Sequence, residues 1–345
     1  MVHAKEQVKA VILVGGYGTR LRPLTYTVPK PLVPFANKPI LRHQIEALVK
    51  VGIKEIILAL NYYSEFIIRE VRDYSNELGI SIVYSKEQEP LGTAGPLALA
   101  KKYLEGHTFF VLNSDITCRF PLAEMLSFHY SHGREGTILS TNVDDPSRYG
   151  IIITEESTSL VRSFLEKPKD AVSNRVNAGI YILNPSVLDR IELRECSIER
   201  EIFPRMAEEH QLQVFDLKGF WMDIGQPADY IKGQGMYLRH CQEAGIDNQL
   251  DAKMFSIEDN VVIGRNVRIG RNVTISNSAI FDNVEIGDNV VIRDSIVGWN
   301  TKIEDNATVS TCCVLGYATT VERFSTLSSV KTLPTRPAFE PFEGI

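Results

Sequence analysis

A-V-I-L-V-G-G-Y-G-T-R-L-R, residues 10–22, is an apolar strand that runs directly into a glycine-rich bend carrying fixed positive charge. Gly15, Gly16 and Gly18 permit positive φ and close approach of the backbone, so successive N–H groups can point at phosphate oxygens. Arg20 supplies a guanidinium fork suited to two phosphate oxygens at once. Lys30, inside V-P-K-P-L-V, adds a second cation shortly downstream. The stretch is neither the G-x-x-x-x-G-K-[ST] loop nor the G-x-G-x-x-G dinucleotide fingerprint, because Gly18 leads into Thr19, Arg20 and Leu21. It reads as a holder of a nucleoside triphosphate. A purely structural strand–turn–helix junction would have no need of the two cations.

Outward from this bend, short β-rich runs alternate with amphipathic helical stretches up to about residue 237. Strands are expected at 8–14, 55–60, 81–84, 108–112, 136–142 and 178–183. Residues 40–49 read as a helix whose apolar face is Leu41, Ile45, Leu48 and Val49, with Gly52 as its stop. A second helix is expected at 97–104. Such alternation predicts an α/β, Rossmann-like domain with a mixed, mostly parallel sheet covered by helices. Ligands of such sheets sit beyond the carboxyl ends of the strands. The glycine bend and Asn113-Ser114-Asp115 both follow strands, so they should share one rim.

After the polar stretch 242–253 the rhythm changes. Ile257, Ile263, Ile269 and Ile275 stand six apart, a five-residue step leads to Ile280, and Ile286 and Ile292 follow. Another five-residue step leads to Val297, then Ile303, Val309, Leu315 and Val321. This hexapeptide repeat predicts a parallel β-helix with one short strand per repeat. Cys312 and Cys313 read as filling of its coils. The expected division is therefore an α/β domain at 1–240, a linker at 241–253, the β-helix at 254–332 and an irregular tail at 333–345.

The bulk numbers exclude several classes. With 345 residues, 44% apolar and 23% charged, the chain suits a soluble globular protein of about two domains. A net charge of −6 disfavours bulk binding to nucleic acid or an anionic membrane, so anionic substrates must be drawn by local cations. The polar start and the lack of a long apolar run point to a cytoplasmic chain, neither exported nor membrane-bound. Five cysteines without C-x-x-C spacing suggest neither a zinc site nor a disulfide framework. The sequons at Asn272 and Asn306 are incidental in that setting.

Residues 15–25 (G-G-Y-G-T-R-L-R-P-L-T) followed by Pro29-Lys30-Pro31-Leu32 resemble the sugar-nucleotide pyrophosphorylases, a nucleotidyltransferase family. Further matches are E-P-L-G-T-A-G at 89–95, N-S-D at 113–115, F-L-E-K-P at 164–168, N-A-G at 177–179 and G-F-W-M-D-I-G-Q-P at 219–227. With the hexapeptide tail, the set is similar to the catalytic type of eukaryotic mannose-1-phosphate guanylyltransferases. The tail is about one coil shorter than that resemblance leads one to expect. The resemblance, not the periodicity, implies a left-handed coil.

The resemblance implies attack of α-D-mannose 1-phosphate on the α-phosphorus of GTP, giving GDP-mannose and pyrophosphate. Both reactants are polyanions, so alignment and charge neutralisation carry the work. Arg20 would grip the β- and γ-phosphates and Lys30 the α-phosphate. Leu13, Gly15, Gly16, Gly18, Thr19, Gly92, Thr93 and Asn113 complete the nucleotide contacts. Asp115 and Asp223 would hold Mg²⁺, a hard cation that prefers carboxylate oxygens. Lys167 matches the active-site lysine and, before Pro168, is expected to be extended. Glu166 and Asn177 would bond sugar hydroxyls, with Gly150 and Gly179 leaving room for the ring.

For the base, Glu87 is the candidate guanine reader, since a carboxylate takes both N1–H and the 2-amino group. Gln88 and Glu89 are the alternatives. Two competing readings stand beside this one: a glucose-1-phosphate uridylyl-, thymidylyl- or adenylyltransferase, and a non-catalytic regulatory homologue. The presence of Arg20, Lys30, Asp115, Lys167 and Asp223 together favours an enzyme. The β-helix, with faces and an end to cover, suggests a homo-oligomer, joined in some settings by a regulatory paralogous subunit.

Overall fold

The computed structural model describes residues 7–61, 64–170, 172–247, 255–256 and 258–332. Repeat anchor Ile257, residues 248–253 of the expected linker and the tail at 333–345 lie outside the described residues. Two compact units are present: Met1–Gly16 with Gln44–Gly219, and Tyr17–His43 with Phe220–Ile345.

The first unit is built on a nine-stranded mixed sheet. Lys9–Val14 lies between Phe109–Asn113 and Glu55–Leu60, and Ser81–Lys86 follows at the edge, all four strands parallel. Arg175–Leu183 then pairs antiparallel with Phe109–Asn113, Gly136–Asn142 and Gly150–Thr154. Every strand expected from sequence is present. Val161–Glu166 and Leu212–Asp216 join the sheet without a clear period in the sequence. Val11, Ile57, Phe109, Val111, Ile138, Tyr181 and Phe203 form its core, none exposing more than a trace of surface. The register sets Leu13 beside Asn113, so the strands preceding Gly15 and Asp115 end side by side. The helix expected at 97–104 is two short pieces, Gly95–Leu99 and Lys101–Leu104, broken at Ala100.

The helix Ile40–Lys50 agrees with its apolar period, and Gly52 at φ 91° turns the chain after it. That rotation is open to glycine and strained for other residues.

In the second unit the repeat anchors stack as the period requires. Ile263, Ile280, Val297 and Leu315 share one parallel sheet, and Ile269, Ile286, Ile303 and Val321 a second. Ile275, Ile292, Val309 and Leu327 line the third. These are the three faces of a parallel β-helix, with parallel sheets consistent with the left-handed type. Each five-residue step is the tight corner of a coil. Asparagines hold the corners at positive φ, among them Asn266 (56°), Asn283 (60°), Asn289 (57°) and Asn306 (61°). Asparagine tolerates this region because its short amide finds local partners. Here the partners lie in the next coil: Asn272 Nδ2 donates to Asn289 Oδ1 at 3.1 Å and Asn289 Nδ2 to Asn306 Oδ1 at 3.2 Å. The two adjacent cysteines divide. Cys313 is buried as coil filling, whereas Cys312 occupies a corner at φ 59° and is exposed, so it fills nothing.

The helix Pro227–Ala244 extends into the stretch expected as linker. Its Tyr230 and Ile231 pack with Phe35, Met222 and Ile224, and with Ala279, Phe281, Ile296 and Val314 of the β-helix. The Tyr230 hydroxyl donates to the Pro34 carbonyl.

Candidate functional site

In the first unit, half-buried Leu13 is the next-to-last residue of its strand, buried Val14 ends it, and Gly15 and Gly16 follow exposed, Gly16 at φ 91°. The Leu13–Asn113 register brings the start of the bend next to the turn that carries Asp115. That turn is held by a residue the sequence reading passed over. Gln44, fully buried, donates from one nitrogen to the Asn113 carbonyl at 2.8 Å and to the Ile116 carbonyl at 3.0 Å. Its signal was a polar residue inside the apolar stripe of the 40–49 helix. Gly179, at φ 74°, approaches the same turn: a β-carbon there would lie 3.0 Å from Asn113 Nδ2 and from Ile116 Cγ1.

Asn177 Nδ2 donates to the Tyr181 hydroxyl at 2.9 Å, and Asn177 Oδ1 accepts from the Gly179 N–H at 2.9 Å. Burial, then the nearby Glu199 carboxylate, push the Tyr181 phenol well above its ordinary pKa, so it stays a neutral donor and acceptor. Gly150 pairs across the strands with Glu166. A β-carbon on Gly150 would meet the Phe164 ring at 2.6 Å and Glu166 Oε2 at 2.8 Å, so the glycine's smallness serves those two side chains.

Lys167 differs from expectation. Its φ is 46°, in the left-handed region rather than extended. Its N–H reaches the Tyr149 carbonyl at 3.3 Å, which closes the strand pair and forces the turn immediately before Pro168. Its Nζ lies 3.1 Å from Glu166 Oε1, with the lysine side chain 57% exposed and the glutamate 14%. A bulky residue held in that conformation marks stored strain, and such outliers cluster at functional sites.

Glu87 Oε2 accepts from the Leu91 N–H at 2.9 Å and from Asn61 Nδ2 at 3.3 Å. Desolvation raises its pKa and the Leu91 bond partly offsets that. The glycines downstream serve close packing as well. A β-carbon on Gly92 would lie 2.5 Å from the Cys196 carbonyl oxygen, and one on Gly95 2.5 Å from that of Arg194. The N–H groups of Thr93 and Ala94 both donate to Cys196 O. The Thr93 hydroxyl donates to Glu199 Oε2 at 2.6 Å and accepts from the Ile198 N–H at 2.9 Å. Sequence reasoning missed Glu199, which sits in the short π-helix Ile198–Ile202.

The second unit carries Arg20 and Lys30. Gly18, at φ 64°, is wedged so that a β-carbon would lie 2.9 Å from Thr25 Cγ2 and 3.0 Å from Lys30 Cβ. The Thr25 hydroxyl donates to the Gly18 carbonyl at 2.9 Å. Thr19–Leu21 and Lys30–Leu32 are each a turn of 3-10 helix, which places Arg20 and Lys30 on a stiff, folded loop. Asp223 ends the strand Trp221–Asp223. Beyond it, the Cα of Gly225 faces both Asp223 Oδ1 and the Arg20 guanidinium.

A cation carried in on a triphosphate needs only one or two protein carboxylates, because phosphates and waters complete its shell. Asp115, in the first unit, and Asp223, in the second, each offer one carboxylate. Among the described residues no group of three or more His, Cys, Asp and Glu is placed to cage a metal alone. No described helix is long and apolar enough to cross a membrane.

Comparison with known proteins agrees with this anatomy. Residues 244–340 match the GMPPB C-terminal domain. Mannose-1-phosphate guanylyltransferase catalytic subunit beta of Danio rerio is 59% identical over 237 residues, 68% of this chain and 66% of that protein. Probable mannose-1-phosphate guanylyltransferase 2 of Oryza sativa subsp. japonica is 58% identical over 233 residues, 67% of this chain and 64% of its own length. The matched stretch thus spans just under two thirds of these curated relatives. HddC from Yersinia pseudotuberculosis, complexed with GMP-PN, is 32% identical with a TM-score of 0.55, covering 65% of this chain and 97% of that one. A UDP-glucose pyrophosphorylase at 21% identity shares the fold, with a TM-score of 0.58 over 67% of this chain and 98% of that one. With its glycine bend at the end of a central parallel strand, and a match to the family described as Nucleotidyl transferase over residues 9–240, the chain belongs to the nucleotidyl transferase family.

Proposed function

We propose that this chain makes GDP-mannose and pyrophosphate from GTP and α-D-mannose 1-phosphate. The observation that carries the reading is the Arg20–Gly225–Asp223 arrangement behind the Gly18 wedge, a cation and a carboxylate held against one glycine. It is supported by relatives named mannose-1-phosphate guanylyltransferase and by a structural neighbour complexed with GMP-PN.

The chemistry is displacement at phosphorus by a phosphate oxygen that is already ionised, so no strong general base is required. Backbone N–H groups of Gly15, Gly16, Gly18 and Thr19 receive phosphate oxygens, and Arg20 stabilises the departing pyrophosphate. Lys30 offsets charge gathering on the α-phosphate. Lys167 holds the sugar phosphate in line, with Glu166 setting the position of its ammonium group. Glu166 and Asn177 orient the sugar hydroxyls. Glu87 reads guanine through its carboxyl, whose Oε2 is fixed by the Leu91 N–H and Asn61. Asp115 and Asp223 would hold Mg²⁺, which supplies Lewis-acid polarisation and charge cancellation at the phosphates.

Turnover measured over a matrix of GTP, ATP, UTP and dTTP against mannose and glucose 1-phosphates tests the reading. Pyrophosphate release fastest with GTP and mannose 1-phosphate supports it. A clear preference for another pair, or no release with any, overturns it. Cytoplasmic residence and assembly into a homo-oligomer, with or without a paralogous subunit, belong to the same proposal.

A further inference from the structure

We propose that Gln44 is a positioning residue for the Asp115 carboxylate, an inference that rests on the function proposed above. Asn113, Ser114, Asp115 and Ile116 form a turn between the strands Phe109–Asn113 and Ile116–Cys118. The two carbonyls that bracket this turn, those of Asn113 and Ile116, both accept from the single Nε2 of Gln44, at 2.8 and 3.0 Å. A carboxamide nitrogen has two hydrogens, so one group ties both ends of the turn and fixes its span.

Two further observations separate positioning from ordinary core packing. Gln44 is fully buried, and its Oε1 is buried without a hydrogen-bond partner among the described residues. A methionine or leucine of similar volume would avoid that desolvation cost, so the carboxamide is explained by what its donor side does. Gly179 also stands against the turn, where a β-carbon would come within 3.0 Å of both Asn113 Nδ2 and Ile116 Cγ1. The turn is therefore clamped from two elements, at the same two residues. Asp115, half-buried between them, has its backbone direction set by that clamp. A hard cation tolerates little error in ligand placement, and a small rotation of this turn would move the carboxylate oxygens away from the phosphates they must share.

The test compares the wild type with Gln44→Met, which keeps volume and removes the donors, and Gln44→Asn, which keeps the amide but shortens its reach. Mn²⁺ binding in the presence of GTP is read by electron paramagnetic resonance, alongside thermal midpoint and KM and kcat at graded Mg²⁺. Expected for both variants is a loss of Mn²⁺ affinity of about tenfold, with kcat lowered and KM for mannose 1-phosphate nearly unchanged. Raised Mg²⁺ should recover part of the rate. If Gln44→Met does not fold, Gln44→Asn carries the measurement. Variants that bind Mn²⁺ as tightly as wild type, with only a lowered thermal midpoint, overturn the positioning role alone. A wild type that binds no Mn²⁺ with GTP overturns the functional reading, and this inference with it.

Discussion

Arg20 and Asp223 converge on Gly225: a β-carbon there would lie 3.0 Å from Arg20 Nη2 and 2.8 Å from Asp223 Oδ1. A methyl group cannot enter without displacing one or both charged groups. Gly225→Ala should therefore lower kcat/KM for GTP by about tenfold to a hundredfold, the scale of roughly 1.5–3 kcal/mol for a hydrogen bond to a charged group. Steady-state kinetics read against the thermal midpoint check this, since the midpoint should move far less than the rate.

Lys167 combines a strained backbone with an exposed ammonium group beside Glu166. Replacement by glycine relieves the left-handed conformation, worth about 1 kcal/mol, whereas alanine does not. Lys167→Gly should thus melt above Lys167→Ala. Both should lose about 10²–10³ in kcat, as expected when a donor to a charged transition state is removed. Calorimetry and single-turnover rates on the pair separate strain from chemistry.

His132 gives the stability a pH signature. The Arg134 N–H donates to its Nδ1 at 3.0 Å, so the ring proton sits on Nε2 and faces the Thr137 hydroxyl at 2.8 Å. Desolvation, then the adjacent His129 and Arg134, lower its pKa to about 4 from 6.5. The fold binds the neutral ring, so this contribution is full above the unfolded pKa of about 6.5. It is lost as pH falls toward 4, because the unfolded chain then takes up the proton first. Glu201, held to about 2 chiefly by Arg194, keeps its full contribution throughout this range and loses it only as pH falls below the usual carboxylate value. Chemical denaturation from pH 7 to 4.5 should show declining stability, and His132→Gln should flatten that decline.

Equivalent repeat anchors should not be equivalent energetically. Ile292 is fully buried between coils, whereas Ile269, in the first described coil, is 46% exposed. Ile292→Ala should cost about 2–5 kcal/mol through lost contacts and a residual cavity. Ile269→Ala should cost about 1 kcal/mol or less, in line with its smaller buried area. Urea denaturation of both variants decides.

The central strands were legible as short, nearly continuous apolar runs, because a mostly parallel sheet buries them on both faces, and the β-helix because its coils impose a period of six. The glycine bend was legible because positive φ and close approach leave few residue choices. What stayed hidden depended on contacts between distant segments. Gly92 and Gly95 gave no sign that Cys196 and Arg194 carbonyls press on them. The proline after Lys167 argued for an extended backbone, and the bond from its N–H to Tyr149 prevailed instead. Gln44 lay in plain view as a polar break in an apolar stripe, but its partners, Asn113 and Ile116, are about seventy residues away.

The central claim is that charge cancellation by two aspartates, a divalent cation and a set of basic side chains permits two polyanions to react. It is tested most directly by following pyrophosphate and GDP-mannose together from GTP and mannose 1-phosphate, in wild type, Asp115→Asn and Asp223→Asn, with and without chelator. Equal amounts of both products should form in the wild type, cease on chelation and return with Mg²⁺. Each variant should fall by about a hundredfold or more. Undiminished synthesis in either variant, or in wild type stripped of divalent cations, would contradict the account.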